Sequence, residues 1–343
     1  MKRLLNTLYV LSEDAYLSLD GDNVVAHKGQ MVAGRFPLHT LEAIQCFTYK
    51  GASPSLMGAC AERGVELAFF SPRGRFLART TGVSNGNVLL RRRQYELAGD
   101  DAARCEIARS ILTGKLFNAR WVLERAKRDH PLQIDTEKVT ARCVELADYL
   151  HDVRDAESVE SLMGIEGSAA RSYFDVFNEL IVAQKEDFCF GGRSRRPPLD
   201  RVNAMLSFGY SLLSSNYASA LEGVGLDAYV GYLHSDRPGR ASLALDMVEE
   251  LRSVFVDRLV VSCINKRIVG PDEFNVYQDG AVRLNDEGRK AFLGAWQKKK
   301  QDVIRHPYLD EKVPWGLVPH VQAMLLARYM RGDLDGYSPF LWK

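Results

Sequence analysis

Glu166 lies in the stretch SLMGIEGSAARSYF (161–174), among side chains that are mostly small or apolar. Taken as a helix from Ser168 onward, the segment sets Ala169, Ala170, Tyr173 and Phe177 on one face by three- and four-residue steps, and Glu166 falls on that face. An acid in that setting needs a partner, unless it is simply a first-turn acid favoured by the helix dipole. Two more stretches carry candidates. GYLHSDRPGR (231–240) presents His234 in a loop bounded by Gly and Pro, and ASLALDMVEELRSVFVDRLV (241–260) reads as one helix. Ala244, Met247, Val248, Leu251 and Phe255 form its apolar stripe, which leaves Ser242, Asp246, Glu249 and Ser253 projecting away from the core. Taken singly, a surface-loop histidine and a solvated acidic face account for these residues. Taken together, two carboxylates and an imidazole suit a divalent cation with positions left open for water and a phosphate oxygen. Oxygen-rich ligation favours Mg²⁺ or Mn²⁺, and the single histidine tilts the choice toward Mn²⁺.

Missing motifs narrow the chemistry. The sequence has no H-E-x-x-H, no G-x-x-x-x-G-K-S/T and no G-x-S-x-G, so a zinc protease helix, a nucleotide-phosphate loop and a serine-hydrolase elbow are not indicated. Basic clusters occur at Arg91, Arg92 and Arg93; at Lys127 and Arg128; at Arg193, Arg195 and Arg196; and at Lys298, Lys299 and Lys300. Such clusters are either solvated faces or contacts to phosphate that position a duplex without reading its sequence.

These residues must be carried by a framework. Residues 7–80 alternate short β-like runs (TLYVLS, YLSLDG, NVVAHKG, AIQCFTY, VELAFFS, RFLART) with the turns DGDN, KGAS and SPRG. One helix interrupts them, with Ser53 as cap, Pro54 in the first turn and Gly64 as the stop. After TTGVSNGN the pattern turns helical, through VLLRRRQYELA, ARCEIARSILTGKLFNARWVLERAKRD and KVTARCVELADYLHDV. The loop CFGGRSRRPPLD (189–200) precedes another helix that begins near Asp200. The expectation is an α+β multidomain chain, with a small N-terminal β-sandwich-like domain over 1–88 and a larger all-α C-terminal domain over 89–343.

Bulk properties agree. The 343 residues suffice for two domains of roughly 150 each. Lys and Arg total 45 against 44 Asp and Glu, so the net charge of +1 gives no overall basic field, and any polyanion must be held by local patches. Six scattered cysteines without a C-x-x-C pair read as reduced thiols in a cytoplasmic protein. No secretion signal is evident, and no apolar run approaches the ~20 residues of a membrane-spanning helix.

The segments GIEGSAARSYF, DRVNAMLSFGYSLL, GYLHSDRPGRASLALDMVEELR and QAMLLARYMRGDLDGYSPFLWK resemble the CRISPR-associated spacer-acquisition integrase, the first family of CRISPR-associated proteins. The last of them most resembles the variant that accompanies type I-C systems. The resemblance runs along essentially the whole chain, with the Glu, His and acid-helix motifs in the family's order. It implies a metal centre in the helical domain made by Glu166, His234 and Glu249, with Asp246 supporting. Arg252 falls where a basic residue would contact DNA phosphate, with Arg91, Arg92, Arg93, Arg193, Arg195 and Arg196 as further candidates. It also implies a homodimer that joins a small ferredoxin-like second adaptation protein, captures short double-stranded DNA fragments and inserts them at the CRISPR repeat. A stand-alone structure-selective nuclease and a non-catalytic DNA-binding assembly subunit are the alternatives.

Overall fold

The computed structural model describes residues 6–71, 74–82 and 88–343; the basic start of the chain and most of the TTGVSNGN turn lie outside these. By internal packing the chain divides into two compact units, Met1–Asn85 with Trp296–Gln301, and Gly86–Ala295 with Asp302–Lys343.

The first unit is built from seven strands and a helix: β1 (Asn6–Val10), β2 (Ala15–Asp20), β3 (Asn23–Lys28), β4 (Met31–Pro37), β5 (Leu41–Cys46), α1 (Pro54–Arg63), β6 (Glu66–Phe70) and β7 (Phe76–Thr80). One sheet is ordered β1-β5-β6-β7, parallel across its first two junctions and antiparallel at the last. The other is the antiparallel meander β2-β3-β4. Val10, Leu17, Val24, Ile44 and Leu67 come from both sheets into one buried cluster, which Leu56 and Cys60 of α1 complete. A β-sandwich packs in this way because each sheet has one apolar face to cover. Helix α1 has the termini its sequence announces: Ser53 accepts a hydrogen bond from the Leu56 N–H, and Gly64 takes the left-handed conformation at the end. Strand β4 was not among the expected runs. Its residues alternate between exposed and half-buried and show no apolar period, as suits an edge strand. Within this unit Lys300 is buried and paired with Glu42, so that member of the basic triplet 298–300 is structural.

The second unit is largely helical, with α2 (Val88–Gly99), α3 (Asp101–Asp129), α4 (Thr136–Asp155), α5 (Val159–Asp175), α6 (Arg201–Gly223), α7 (Ser242–Leu251) and α8 (Arg258–Asn265) in sequence. Two antiparallel hairpins correct the all-α expectation: β8 (Phe274–Val276) with β9 (Val282–Leu284), and, after α9 (Asp286–Gln301), β10 (Val303–Arg305) with β11 (Lys312–Pro314). Each strand is three residues long, too short for periodicity to reveal. Helix α10 (Val318–Met330) follows. The 29-residue α3 packs against α4, α5 and α7. Its buried stripe of Ile107, Ile111, Leu112, Leu116, Ala119 and Leu123 follows helical spacing. Among the described residues, no helix is long and apolar enough to cross a membrane.

Candidate metal centre

Helix α5 begins at Val159, capped by Ser158, so Glu166 sits in the middle of the helix and not in a first turn at Ser168. A dipole explanation therefore does not apply to it. Ala169 and Tyr173, one and two turns further on, are buried as their spacing requires. Glu166 itself is half-buried and paired with Lys115 of α3.

The acids of α7 are corrected more sharply. Every residue of this helix except Leu245 is buried, including Ser242, Asp246, Glu249 and Glu250. The face read as solvent-directed is therefore interior, and each acid has its own compensation. Asp246 accepts backbone N–H bonds from Tyr232 (2.6 Å), Leu233 (3.0 Å) and His234 (2.9 Å), and lies 2.6 Å from His234 Nδ1. The loop before α7 is thus folded around a buried carboxylate. Gly231 permits this, since a Cβ there would stand 2.4 Å from the His234 carbonyl oxygen and 2.6 Å from Ser242 Cβ. Because a carboxylate can only accept, His234 Nδ1–H donates to Asp246 and the Nε2 lone pair is left for a ligand.

Glu249 lies between two cations: Arg252 Nη1 is 2.7 Å from one carboxylate oxygen, and Lys115 Nζ is 2.7 Å from the other. Burial alone would raise the pKa of Glu249, but Arg252, Lys115 and His234 together hold it far below the usual carboxylate range. Lys115 thus bridges Glu166 of α5 and Glu249 of α7. The three groups open onto a small cleft of about 40 Å³, lined also by Tyr173, Arg195, Tyr210, Arg252, Ser253 and Asp257. Behind it the Tyr173 and Tyr210 hydroxyls donate to Asp257. Burial pushes the Asp257 carboxyl up to about 6 despite those bonds and the nearby Arg252.

Among the described residues, no three His, Cys, Asp or Glu side chains are grouped closely enough to hold a metal ion as they stand. Glu166 and Glu249 converge on the Lys115 ammonium, while His234 is engaged with Asp246. The donor set nonetheless suits a hard cation: two carboxylates already share one positive charge, and the imidazole is oriented by a buried acid in the manner of outer-sphere support. Sequence reading missed Lys115. The available signal was the anomaly already noted for Glu166, an ionisable group on a core stripe, four residues from both Ile111 and Ala119.

The arginines divide. Arg252 is spent on Glu249 and stacks over Tyr210, 4.3 Å from the ring centre. Arg193 donates to the Ser194 carbonyl (2.7 Å) and to Asn203, and also lies over Tyr210. Arg91 donates to the Gly225 carbonyl (3.3 Å) and Arg93 pairs with Glu96. Arg92, Arg195 and Arg196 are exposed, and Arg195 lines the cleft beside the carboxylates.

The helical unit brings Glu166 and Glu249, from two helices, onto one cleft, with His234 outside its lining and held by Asp246. Residues 8–298 match the family described as CRISPR associated protein Cas1. The chain is 48% identical over 343 residues to a CRISPR-associated endonuclease Cas1 of Chlorobaculum tepidum, covering all of both chains. It is also 48% identical over 347 residues to another of Rhodospirillum rubrum, again covering all of both. In fold it is similar to a casposase bound to its integration product, with a TM-score of 0.85 and 22% identity over 99% of this chain and 95% of that one. The chain belongs to the Cas1 family.

Proposed function

We propose that this chain is a metal-dependent DNA endonuclease and integrase of CRISPR adaptation. It would insert short double-stranded spacer fragments into the repeat of a CRISPR array by phosphoryl transfer, in antiviral defence. The observation that carries this reading is the convergence of Glu166 and Glu249, from separate helices, on a single positive charge at a cleft wall. The names of the relatives and the neighbour seen with an integration product support the choice of DNA as substrate.

Glu166, Glu249 and His234 Nε2 would hold Mg²⁺ or Mn²⁺. The cation, when bound, supplies activation of a DNA 3′-hydroxyl or of water and stabilises the departing oxygen. The rest falls to the chain's own residues. Asp246 fixes the His234 tautomer and keeps the Nε2 lone pair outward. Arg252 keeps Glu249 ionised within the protein interior. Lys115 sets an ammonium between the two carboxylates at the cleft wall, and Arg195 flanks the same cleft. The domain division near residues 85–95, the homodimer and the small ferredoxin-like partner rest on the sequence pattern and the family resemblance. Limited proteolysis tests the first, and light scattering the second: a sole species of 38.5 kDa at micromolar concentration would exclude the dimer.

The pairing of both carboxylates with Lys115 favours one other reading, a non-catalytic DNA-binding subunit whose acids are neutralised internally. Calorimetry with Mn²⁺, followed by transfer of a 3′-hydroxyl DNA end across a Mn²⁺ titration, separates the two. The integrase reading expects Mn²⁺ binding and strand transfer, both lost in Glu166→Ala with duplex binding retained. No Mn²⁺ binding by the parent, or equal binding by that variant, would leave the assembly subunit, and parent-like transfer by the variant would place the metal centre elsewhere.

A further inference from the structure

Glu250, the neighbour of Glu249, is fully buried and faces away from the cleft into a polar cluster made by the end of the sequence. Its carboxylate accepts from the Tyr337 hydroxyl (2.6 Å), the Gln322 amide (2.9 Å) and the Phe340 backbone N–H (2.9 Å). Asn118, also fully buried, lies on α3 three residues from Lys115. Its amide nitrogen donates to the backbone carbonyls of Glu250 and Phe340, both at 2.7 Å, and its oxygen accepts from the Trp342 N–H at 2.8 Å. One side chain therefore ties α3, α7 and segment 337–342 together. All three of its hydrogen bonds are directional, so neither helix can slide along the other without breaking them.

The packing closes the same junction. Gly114 precedes Lys115, and a Cβ at that position would come within 3.0 Å of Pro339 Cβ and 3.2 Å of Glu250 Cγ. The segment and α7 thus touch α3 where even a methyl group would force its neighbours to give way. Phe340 is fully buried, its ring 5.4 Å from Trp315 and 5.5 Å from His306, and Trp315 in turn lies 5.6 Å from Phe255. Apolar burial of this anchor holds the backbone groups of the segment against Asn118 and Glu250. The whole segment lies beyond residue 298, where the match to the family ends.

We propose that segment 337–342 is a positioning strap for the cleft: through Asn118 and Glu250 it fixes the axial register of α3 against α7, and so the separation of Lys115 and Glu249. The segment contributes no residue to the cleft lining. Its catalytic consequence rests on the metal-centre reading above, but its structural consequence does not.

The test uses the full-length protein, a chain ending at Ser338, and Asn118→Ala, which keeps the segment and Glu250. Amide hydrogen exchange is followed at residues 112–118 and 247–252, with α4 as internal reference. Strand transfer and duplex affinity are measured on the same samples, with and without the peptide Pro-Phe-Leu-Trp-Lys. The strap predicts roughly tenfold or greater loss of protection at those two segments in both variants, with α4 unchanged. It predicts a fall in strand-transfer turnover with duplex affinity intact, and saturable recovery of protection when the peptide is added to the shortened chain. Unchanged exchange at 112–118 and 247–252 in Asn118→Ala would overturn it, as would loss spread evenly through α4. If Glu166→Ala transfers strands as the parent does, the metal-centre reading falls, and the exchange pattern alone still decides the strap.

Discussion

Helix α7 and the loop before α6 each bring clustered charge to the cleft, and their charges meet different fates. The acids of α7 are buried, each with partners of its own: Asp246 in backbone N–H groups and His234, Glu249 between Arg252 and Lys115, and Glu250 in the strap. In the loop, Arg193 is consumed by Asn203 and Tyr210, whereas Arg195 and Arg196 remain exposed. Charge type did not decide which stretch went inside. What decided it was whether fixed partners were available, because a buried charge without them costs far more than burial returns.

The sharpest way to break this comparison is to treat the two bridged carboxylates as equals. Glu249→Ala and Glu166→Ala are both expected to abolish Mn²⁺-dependent strand transfer and cleavage of branched DNA. They should differ in stability. Glu249→Ala leaves Arg252 without its carboxylate in the interior, Lys115 still being paired with Glu166, and should lower unfolding free energy by roughly 3 kcal/mol or more, whereas Glu166, with 31% of its side chain exposed, should cost no more than about 1 kcal/mol. Denaturant melts of the two variants check this, and equal losses would show that burial at Glu249 has been overvalued.

The next effect belongs to Asp257, a buried acid without a direct ion pair. Its carboxyl is raised by burial to about 6 from an ordinary 3.8, so between those values the folded state holds the proton more tightly than the unfolded state. Its contribution to stability is then greatest below pH ~4 and is lost as pH rises to ~6, with an upper size of about 3 kcal/mol. Asp257→Asn should flatten that part of the pH–stability curve. An unchanged slope between pH 4 and 6 would mean that the tyrosine hydroxyls compensate the charge fully.

Smaller shifts sharpen the remaining points. Lys115→Met leaves Glu166 and Glu249 facing one another without the ammonium, so Mn²⁺ affinity measured by calorimetry should rise about tenfold even if strand transfer slows. Weaker Mn²⁺ binding would show that Lys115 organises the centre rather than competing for it. For the loop, Arg195→Ala should reduce the salt dependence of duplex binding by about one phosphate contact. Arg193→Ala should instead lower stability and leave the salt slope as it was.

Much of the framework was readable in advance because its signals are local. Ser53, Pro54 and Gly64 bracket α1, and Asp200 caps α6, with no help from tertiary structure. Glu166, His234 and Glu249 stood out by type and by resemblance, but their setting did not. A period of 3.6 residues assigns polar positions to solvent, and it failed on α7 because the helix is interior all round and meets its polar needs through distant segments. The same distance hid Asn118 and Glu250, whose partners lie more than 70 residues away. Lys115 was overlooked for a different reason: a lysine in a long amphipathic helix looks ordinary until the stripe beneath it is traced.

Between α7 and α8 the chain runs as a π-helix over Arg252–Asp257, with one residue more per turn than its neighbours. In a plain α-helix, residues five apart diverge by ~140° around the axis; the wider turn brings Arg252 and Asp257 onto the same cleft wall. The wall is therefore a matter of phase. Wound as a plain α-helix, the same residues would turn Asp257 away from the wall it shares with Tyr173 and Tyr210. Along these six positions the cleft wall depends on how the backbone winds as well as on the side chains it carries.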